Sequence, residues 1–287
     1  TTVAPLGTPV PVGPTNGVVN QLYPSLLLDW SDVTGAVTYE FHWCTDPNFL
    51  TGVNTGTSGV SNGNATGLLP NTIYYWQVRV WDGTTWSSWS VTWSFTTHPI
   101  PNVPTLTSPA NAALNQLIAS ITLDWTDETW ATGYEFQWST DPSFTIGVNS
   151  GTSVPSTTII SGLLPGTTYY WHIRSMDGTY FSSWSGNFYF TTLAIPAQPV
   201  HVSPLNLSTG ILPNAVTLDW NDATDAASYQ WEYATNAGFT VGLVSGTSGS
   251  SNQNIGPLTA GTTYYWHVRS VNTSGNSVYS TTWSFTT

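Results

Sequence analysis

Residues 68–90 read LLPNTIYYWQVRVWDGTTWSSWS, and 95 residues further on, at 163–185, the chain reads LLPGTTYYWHIRSMDGTYFSSWS. A third version, LTAGTTYYWHVRSVNTSGNSVYS, occupies 258–280. In YYWQVRV, Trp76, Val78 and Val80 fall on one face while Tyr75, Gln77 and Arg79 fall on the other. That period of two is the pattern of a half-buried strand. The dipeptides Asp82-Gly83 and Asp177-Gly178 that follow are turn signals.

Working outward, the same spacing governs the whole chain. Leu28-Asp29-Trp30 recurs as Leu123-Asp124-Trp125 and Leu218-Asp219-Trp220, and Phe95-Thr96-Thr97 recurs as Phe190-Thr191-Thr192 and Phe285-Thr286-Thr287. No insertion separates the anchors, so three repeats are expected at 1–98, 99–193 and 194–287. Pro-rich segments at 98–109 and 193–204 join them, and proline presets an extended, semi-rigid spacer. Counting back one period from Thr96-Thr97 lands on Thr1-Thr2. The expectation is a window on a longer array, or a subunit that continues into its neighbour by end-to-end self-association.

Other segments alternate in the same way. SLLLDW puts Leu26, Leu28 and Trp30 on one face, and YEFHW puts Tyr39, Phe41 and Trp43 on one face with Glu40 and His42 opposite. No segment of useful length has helical periodicity. About 95 residues of short strands with frequent turn signals read as a β-sandwich. Leu68-Leu69-Pro70-Asn71-Thr72-Ile73-Tyr74 resembles the tyrosine corner of fibronectin type III domains, as do Leu163–Tyr169 and, with Ala260 in place of proline, Leu258–Tyr264. The tryptophans of the second strand (Trp30, Trp125, Trp220) fit that family too. The expected fold is all-β: three tandem fibronectin type III-like sandwiches in an extended rod, about 35 Å per repeat at roughly 3.3 Å per strand residue. With TDPNF (45–49) and TDPSF (140–144), the chain is similar to tandem modules of secreted bacterial surface proteins.

WSSWS resembles the WSxWS box of cytokine receptors, also fibronectin type III domains, whose tryptophans stack on arginines of a neighbouring strand. The resemblance implies a structural brace of Arg79 with Trp86 and Trp89, Arg174 with Phe181 and Trp184, and Arg269 with Tyr279. Glu40 and Glu135 would pair with the first two arginines across strands; the third repeat has Gln230 there, with Glu232 nearby on the same face. The competing reading is an exposed aromatic patch for a ligand.

Composition narrows function further. The net charge is -12, with only three arginines and no lysine, which excludes a phosphate-tracking nucleic-acid binder. No apolar run reaches the length of a membrane span, and no membrane insertion is expected. Cys44 is the single cysteine; it reads as a buried thiol or as one half of an intermolecular bridge. His42, His98, His172, His201 and His267 show no metal-ligand spacing; His172 and His267 read as surface strand residues. Asp29/Asp32 and their counterparts Asp124/Asp127 and Asp219/Asp222 read as calcium ligands or as turn residues. No catalytic motif appears, and neither enzyme activity nor a cofactor is expected. Asn64, Asn206 and Asn272 stand in N-x-[ST] acceptors for covalent glycans.

The leading functional expectation is an extracellular structural or adhesive repeat protein at the cell surface, the subunit of a filament. The alternative is a carbohydrate-binding or spacer module of a secreted polysaccharide-degrading enzyme. There Tyr75, Tyr170 and Tyr265 would be the platform for bound sugars.

Overall fold

The computed structural model describes residues 6–178 and 180–287, so the Thr1-Thr2 end lies outside the described residues. The named elements are all strands. In the first repeat these are β1 (Pro11–Gly13), β2 (Val18–Gln21), β3 (Ser25–Trp30), β4 (Thr38–Cys44), β5 (Asn54–Ser58), β6 (Asn62–Thr66), β7 (Ile73–Trp81) and β8 (Trp93–Thr97). The second has β9 (Leu106–Ser108), β10 (Ala113–Gln116), β11 (Ile121–Trp125), β12 (Gly133–Ser139), β13 (Asn149–Ser153), β14 (Thr157–Ile160), β15 (Thr168–Asp177), β16 (Tyr180–Phe181) and β17 (Phe188–Thr192). The third has β18 (His201–Ser203), β19 (Val216–Trp220), β20 (Ser228–Ala234), β21 (Val244–Ser248), β22 (Asn252–Ile255), β23 (Thr263–Asn272), β24 (Gly275–Asn276) and β25 (Trp283–Thr286).

Each repeat pairs a small sheet with a large one. The small sheets run β1-β3-β6, β9-β11-β14 and β18-β19-β22. The large ones run β2-β8-β7-β4-β5, β10-β17-β15-β12-β13 with β16 on β15, and β21-β20-β23-β24 with β25 on β23. The strand that follows β4 stays on the large sheet instead of crossing to the small one, and its counterparts β13 and β21 do the same. This is the fibronectin type III arrangement of the sandwich.

By contact, the chain divides into two compact units. One comprises the chain to Val103 with Glu128–Gly133 and Ser175–Ser183; the other comprises Pro104–Asp127, Tyr134–Arg174 and Trp184–Thr287. In the first unit Trp130 stacks on His98 at 4.5 Å, and Tyr180 meets Tyr23 edge-on at 5.3 Å. Two turns of the second repeat therefore group with the first sandwich. Trp130 adopts φ 71°, at the position where the first repeat has Gly35 (φ 85°) and the third Asp225 (φ 62°). A bulky residue in the left-handed region is strained, and here its ring closes over a buried histidine.

Alternation in the sequence becomes alternation in burial. Along β7 every second residue from Tyr74 to Val80 is buried. Trp30, Trp125 and Trp220 sit in the cores with Trp76, Trp171, Trp266, Phe95, Phe190 and Phe285. Burying each such side chain is worth about 2–3 kcal/mol. At every tyrosine corner a backbone N–H donates to the phenol oxygen: Leu69 to Tyr74 (2.9 Å), Leu164 to Tyr169 (3.0 Å) and Thr259 to Tyr264 (3.0 Å). Replacing the proline by Ala260 leaves the third corner intact. Gly56, Gly151 and Gly246 lie opposite Phe41, Phe136 and Trp231. A Cβ on Gly246 would stand 2.4 Å from the Trp231 ring, so these positions of the large sheet require glycine.

Cys44 is buried, and its thiol donates to the Asp46 carbonyl at 3.1 Å. Burial pushes the thiol pKa up, outweighing the opposing hydrogen bond. Ser139 and Ala234 occupy the same slot in the other repeats, so the slot selects small side chains. This places Cys44 as an enclosed thiol.

His201 lies where the other repeats have Pro11 and Leu106. Its ring packs at 4.1 Å from Trp266 and 4.7 Å from Trp283, and Nε2 is 2.9 Å from the Ser280 hydroxyl. Burial, aided by the nearby His267 charge, depresses its pKa to about 4. The folded chain therefore holds a neutral imidazole that protonates more readily when unfolded. Its contribution to stability is fully present above about pH 6.5 and is lost as pH falls toward 4. Burial also lowers the pKa of His42 and His172, which act in the same direction. We expect urea unfolding midpoints to fall between pH 7 and pH 4.5, with His201 accounting for on the order of 2 kcal/mol after allowance for solvent screening. His201→Leu should flatten that part of the profile.

Candidate functional site

The WSSWS segment runs beside β7, past the point where β8 pairing ends. β8 bonds β7 only over Ile73–Trp76. Beyond it, Ser90 and Ser87 take over. The Val78 N–H donates to the Ser90 hydroxyl and the Val80 N–H to the Ser87 hydroxyl, each at 3.1 Å. In return the Ser90 and Ser87 N–H groups donate to the Val78 and Val80 carbonyls at 2.8 and 2.9 Å. Ser185 and Ser182 bond Ile173 and Ser175 in the same way, as Ser280 and Ser277 bond Val268 and Ser270. The tryptophans drew attention in the sequence, but the S-x-x-S spacing persists in all three repeats. It was legible only by asking where the strand's backbone donors end.

The serines hold the aromatic residues over the arginines. Arg79 Cζ lies 4.5 Å from both Trp86 and Trp89. Its Nε and Nη2 bond Glu40 Oε2 at 2.6 and 2.5 Å. The stack continues from Trp89 to His42 (4.2 Å) and on to Phe49 (6.5 Å), and on the other side from Trp86 to Trp81 (5.1 Å). In the second repeat Phe144, His172, Trp184 and Arg174 follow in the same order at 3.8, 4.1 and 4.5 Å, with Glu135 Oε2 bonded by Nε and Nη2 at 2.7 and 2.6 Å. In the third, Phe239, His267, Tyr279 and Arg269 follow at 3.9, 3.9 and 4.6 Å. Cation–π contacts of this kind are worth roughly 0.5–2 kcal/mol each.

Two features of this ladder come from elsewhere in the chain. Its terminal Phe adopts φ 55°, 53° and 54° at Phe49, Phe144 and Phe239. The Asp46 carboxylate accepts the N–H groups of Asn48, Leu50 and Thr51, which shapes the TDPNF loop that presents the ring. Asp141 does the same in TDPSF, and bonds from the Thr145 hydroxyl and the Ser143 N–H hold its pKa down at about 2. The second feature is that the histidine changes strand. His42 is on β4 opposite Gln77; His172 is on β15, with Nε2 3.1 Å from Gln137 Oε1; His267 is on β23 opposite Glu232. The imidazole fills the same rung from either side. His172 and His267 are therefore interior rungs of a stack rather than plain surface residues.

The remaining sequence candidates fall in separate places. Tyr75, Tyr170 and Tyr265 are half-buried on the large sheets, and Tyr170 packs at 5.7 Å on Tyr189. Asn64 is exposed on β6. Asn206 is exposed, but its Oδ1 accepts the Ser284 N–H, as Asn16 and Asn111 do for Ser94 and Tyr189. Asn272 has both amide hydrogens engaged, with the Ala194 and Asp225 carbonyls at 2.9 and 3.0 Å. Asp124 accepts the Thr107 hydroxyl at 3.0 Å.

Strand order, tyrosine corners and the serine-closed arginine ladder define a chain built of tandem fibronectin type III-like sandwiches. It is 32% identical over 179 residues to chitinase A1 of Niallia circulans, a match covering 58% of this chain and 24% of that protein. The chain thus spans about a quarter of the length of that curated relative. No family model matches the chain. Among solved structures it aligns with the FN1–FN3 domains of chicken CNTN1 at 14% identity and a TM-score of 0.32, over 98% of each chain; a likeness at that level carries no argument.

Ser87→Ala removes the acceptor for the buried Val80 N–H and should destabilise the first repeat by about 1–3 kcal/mol. Ser88→Ala, on an exposed neighbour, should stay within about 0.5 kcal/mol. Urea unfolding followed by tryptophan fluorescence measures both.

Proposed function

We propose that the chain is a non-catalytic spacer segment of a secreted, polysaccharide-acting protein. The match to chitinase A1 over 179 residues carries this reading. The spacer role is supported by the linkers, which are bonded into the sandwiches. Ser175 Oγ donates to the Asn102 carbonyl at 2.6 Å, and Ser270 Oγ to the Ala197 carbonyl 95 residues further on. Gln198 Nε2 donates to the Tyr279 carbonyl at 2.6 Å. Pro101, Pro104, Pro196 and Pro199 are buried. A flexible tether would be exposed and rich in glycine and serine. The first repeat also commits both faces of Arg79 and its Nε and Nη2 to internal partners, which favours the ladder as a brace over the ladder as a ligand patch.

A surface filament built by end-to-end association is the second reading, and bonded linkers would serve it equally. The intact polypeptide from its natural source distinguishes the two. The spacer reading expects a polysaccharide hydrolase domain on the same polypeptide. Deleting residues 99–193 should then leave turnover of soluble oligosaccharides unchanged and slow attack on insoluble polysaccharide. A polypeptide without such a domain, forming uniform fibres in electron micrographs, would overturn it.

A further inference from the structure

The third repeat departs from the other two around Arg269. Glu40 and Glu135 are replaced there by Gln230, and Trp86 and Phe181 by Asn276. Arg269 Nε donates to Gln230 Oε1 at 2.8 Å. Among the described residues no carboxylate oxygen forms an ion pair with Arg269 within 4 Å, in contrast to Arg79 and Arg174. The nearby carboxylate, Glu232, is engaged elsewhere: Oε2 is 3.0 Å from His267 Nε2, and Oε1 accepts the Tyr279 hydroxyl at 2.9 Å. Burial pushes the Glu232 carboxyl up, but those bonds and the neighbouring cations outweigh it and hold its pKa below the usual range. Tyr279 covers one face of the guanidinium. Beside it an open groove of about 250 Å³ is lined by Gln230, Glu232, Ser245, Thr247, Arg269 and Tyr279, with Trp231 and Gly246 completing its wall. In a chain of net charge -12 with three arginines, this cation stands apart: it lacks the carboxylate that both of its counterparts have.

We propose that this groove binds an acidic sugar, a single hexuronic acid unit. The sugar carboxylate pairs with the Arg269 guanidinium beside the Gln230 bond, supplying the charge that Glu40 and Glu135 supply to their arginines through charge-assisted hydrogen bonds. The ring hydroxyls meet Ser245, Thr247, Gln230 and the Glu232 carboxylate, which accepts hydroxyl donors. Polar side chains converge on the groove beside the apolar surface of its wall, a mixture that suits a ring bearing hydroxyls. The volume holds one ring. The first two repeats supply the carboxylate themselves, so the site belongs to the third. The inference stands independently of the spacer reading.

The test is calorimetric titration of the full chain with sodium glucuronate, glucose and sodium acetate in turn. Saturable glucuronate binding is expected, with glucose and acetate weaker by about tenfold or more, the scale of one charge-assisted hydrogen bond. Gln230→Glu installs the carboxylate of the other repeats. It should weaken glucuronate by about tenfold or more while raising the unfolding midpoint, which shows that the fold is kept. Thr247→Val should weaken glucuronate and leave acetate unchanged. Absence of saturable glucuronate binding, acetate binding as tight as glucuronate, or binding indifferent to both substitutions would each overturn the proposal.

Discussion

The central strand of each large sheet runs out of strand partners on one edge before it ends, and two serine hydroxyls finish the job. Val78 and Val80 in the first repeat are buried, so their N–H groups must be paired. The S-x-x-S spacing supplies an acceptor and a donor at each of those positions. Everything on the exposed face of the sheet follows from that closure. The segment is held flat against β7, and the aromatic side chain preceding each of the two serines is brought over Arg79. With Glu40 bonding the guanidinium edge and Trp86 and Trp89 its faces, a charged side chain becomes part of a packed layer.

The layer accepts substitution because each rung asks only for a planar group. Trp89, Trp184 and Tyr279 are interchangeable there, and imidazole reaches its rung from β4 or from the neighbouring strand. What does not vary is the backbone work: the serines, the tyrosine-corner phenols, and the Asn carboxamides at 16, 111 and 206 that accept an N–H of the last strand. The third repeat shows the limit. With Gln230 and Asn276 in place the fold persists, but the arginine loses its carboxylate and one ring.

Much of this was legible in the sequence. The period-two pattern marked the strands, the L-x-P-x-T-x-Y stretch marked the corner, and the Glu40–Arg79 pair followed from strands lying side by side. The exchange of histidine between strands was not legible. His42 and Gln77 are 35 residues apart, and the exchange appears only once β4 and β7 are in register. The serines were hidden among many other Ser and Thr residues, since hydroxyls in polar segments look alike until the unpaired donors are known. Trp130 stands where the other repeats have Gly35 and Asp225, and nothing in the order of residues joins its ring to His98, 32 positions earlier. Asn272 matched a glycan acceptor by its neighbours, while its amide is spent on Ala194 and Asp225.

Tandem repeats of similar sequence run the risk of exchanging strands with their neighbours while folding. The strand change of the histidine bears on that risk. If the first repeat's β4 paired with β15, His42 would meet His172 and two imidazoles would compete for one rung. The reciprocal pairing of β12 with β7 would set Gln137 against Gln77 and leave the rung without a ring. One crossed sandwich is crowded at that rung and the other lacks a ring there, whereas each correct one supplies a single imidazole. The placement of one side chain thus marks the first two repeats as different from each other, although their strand orders correspond.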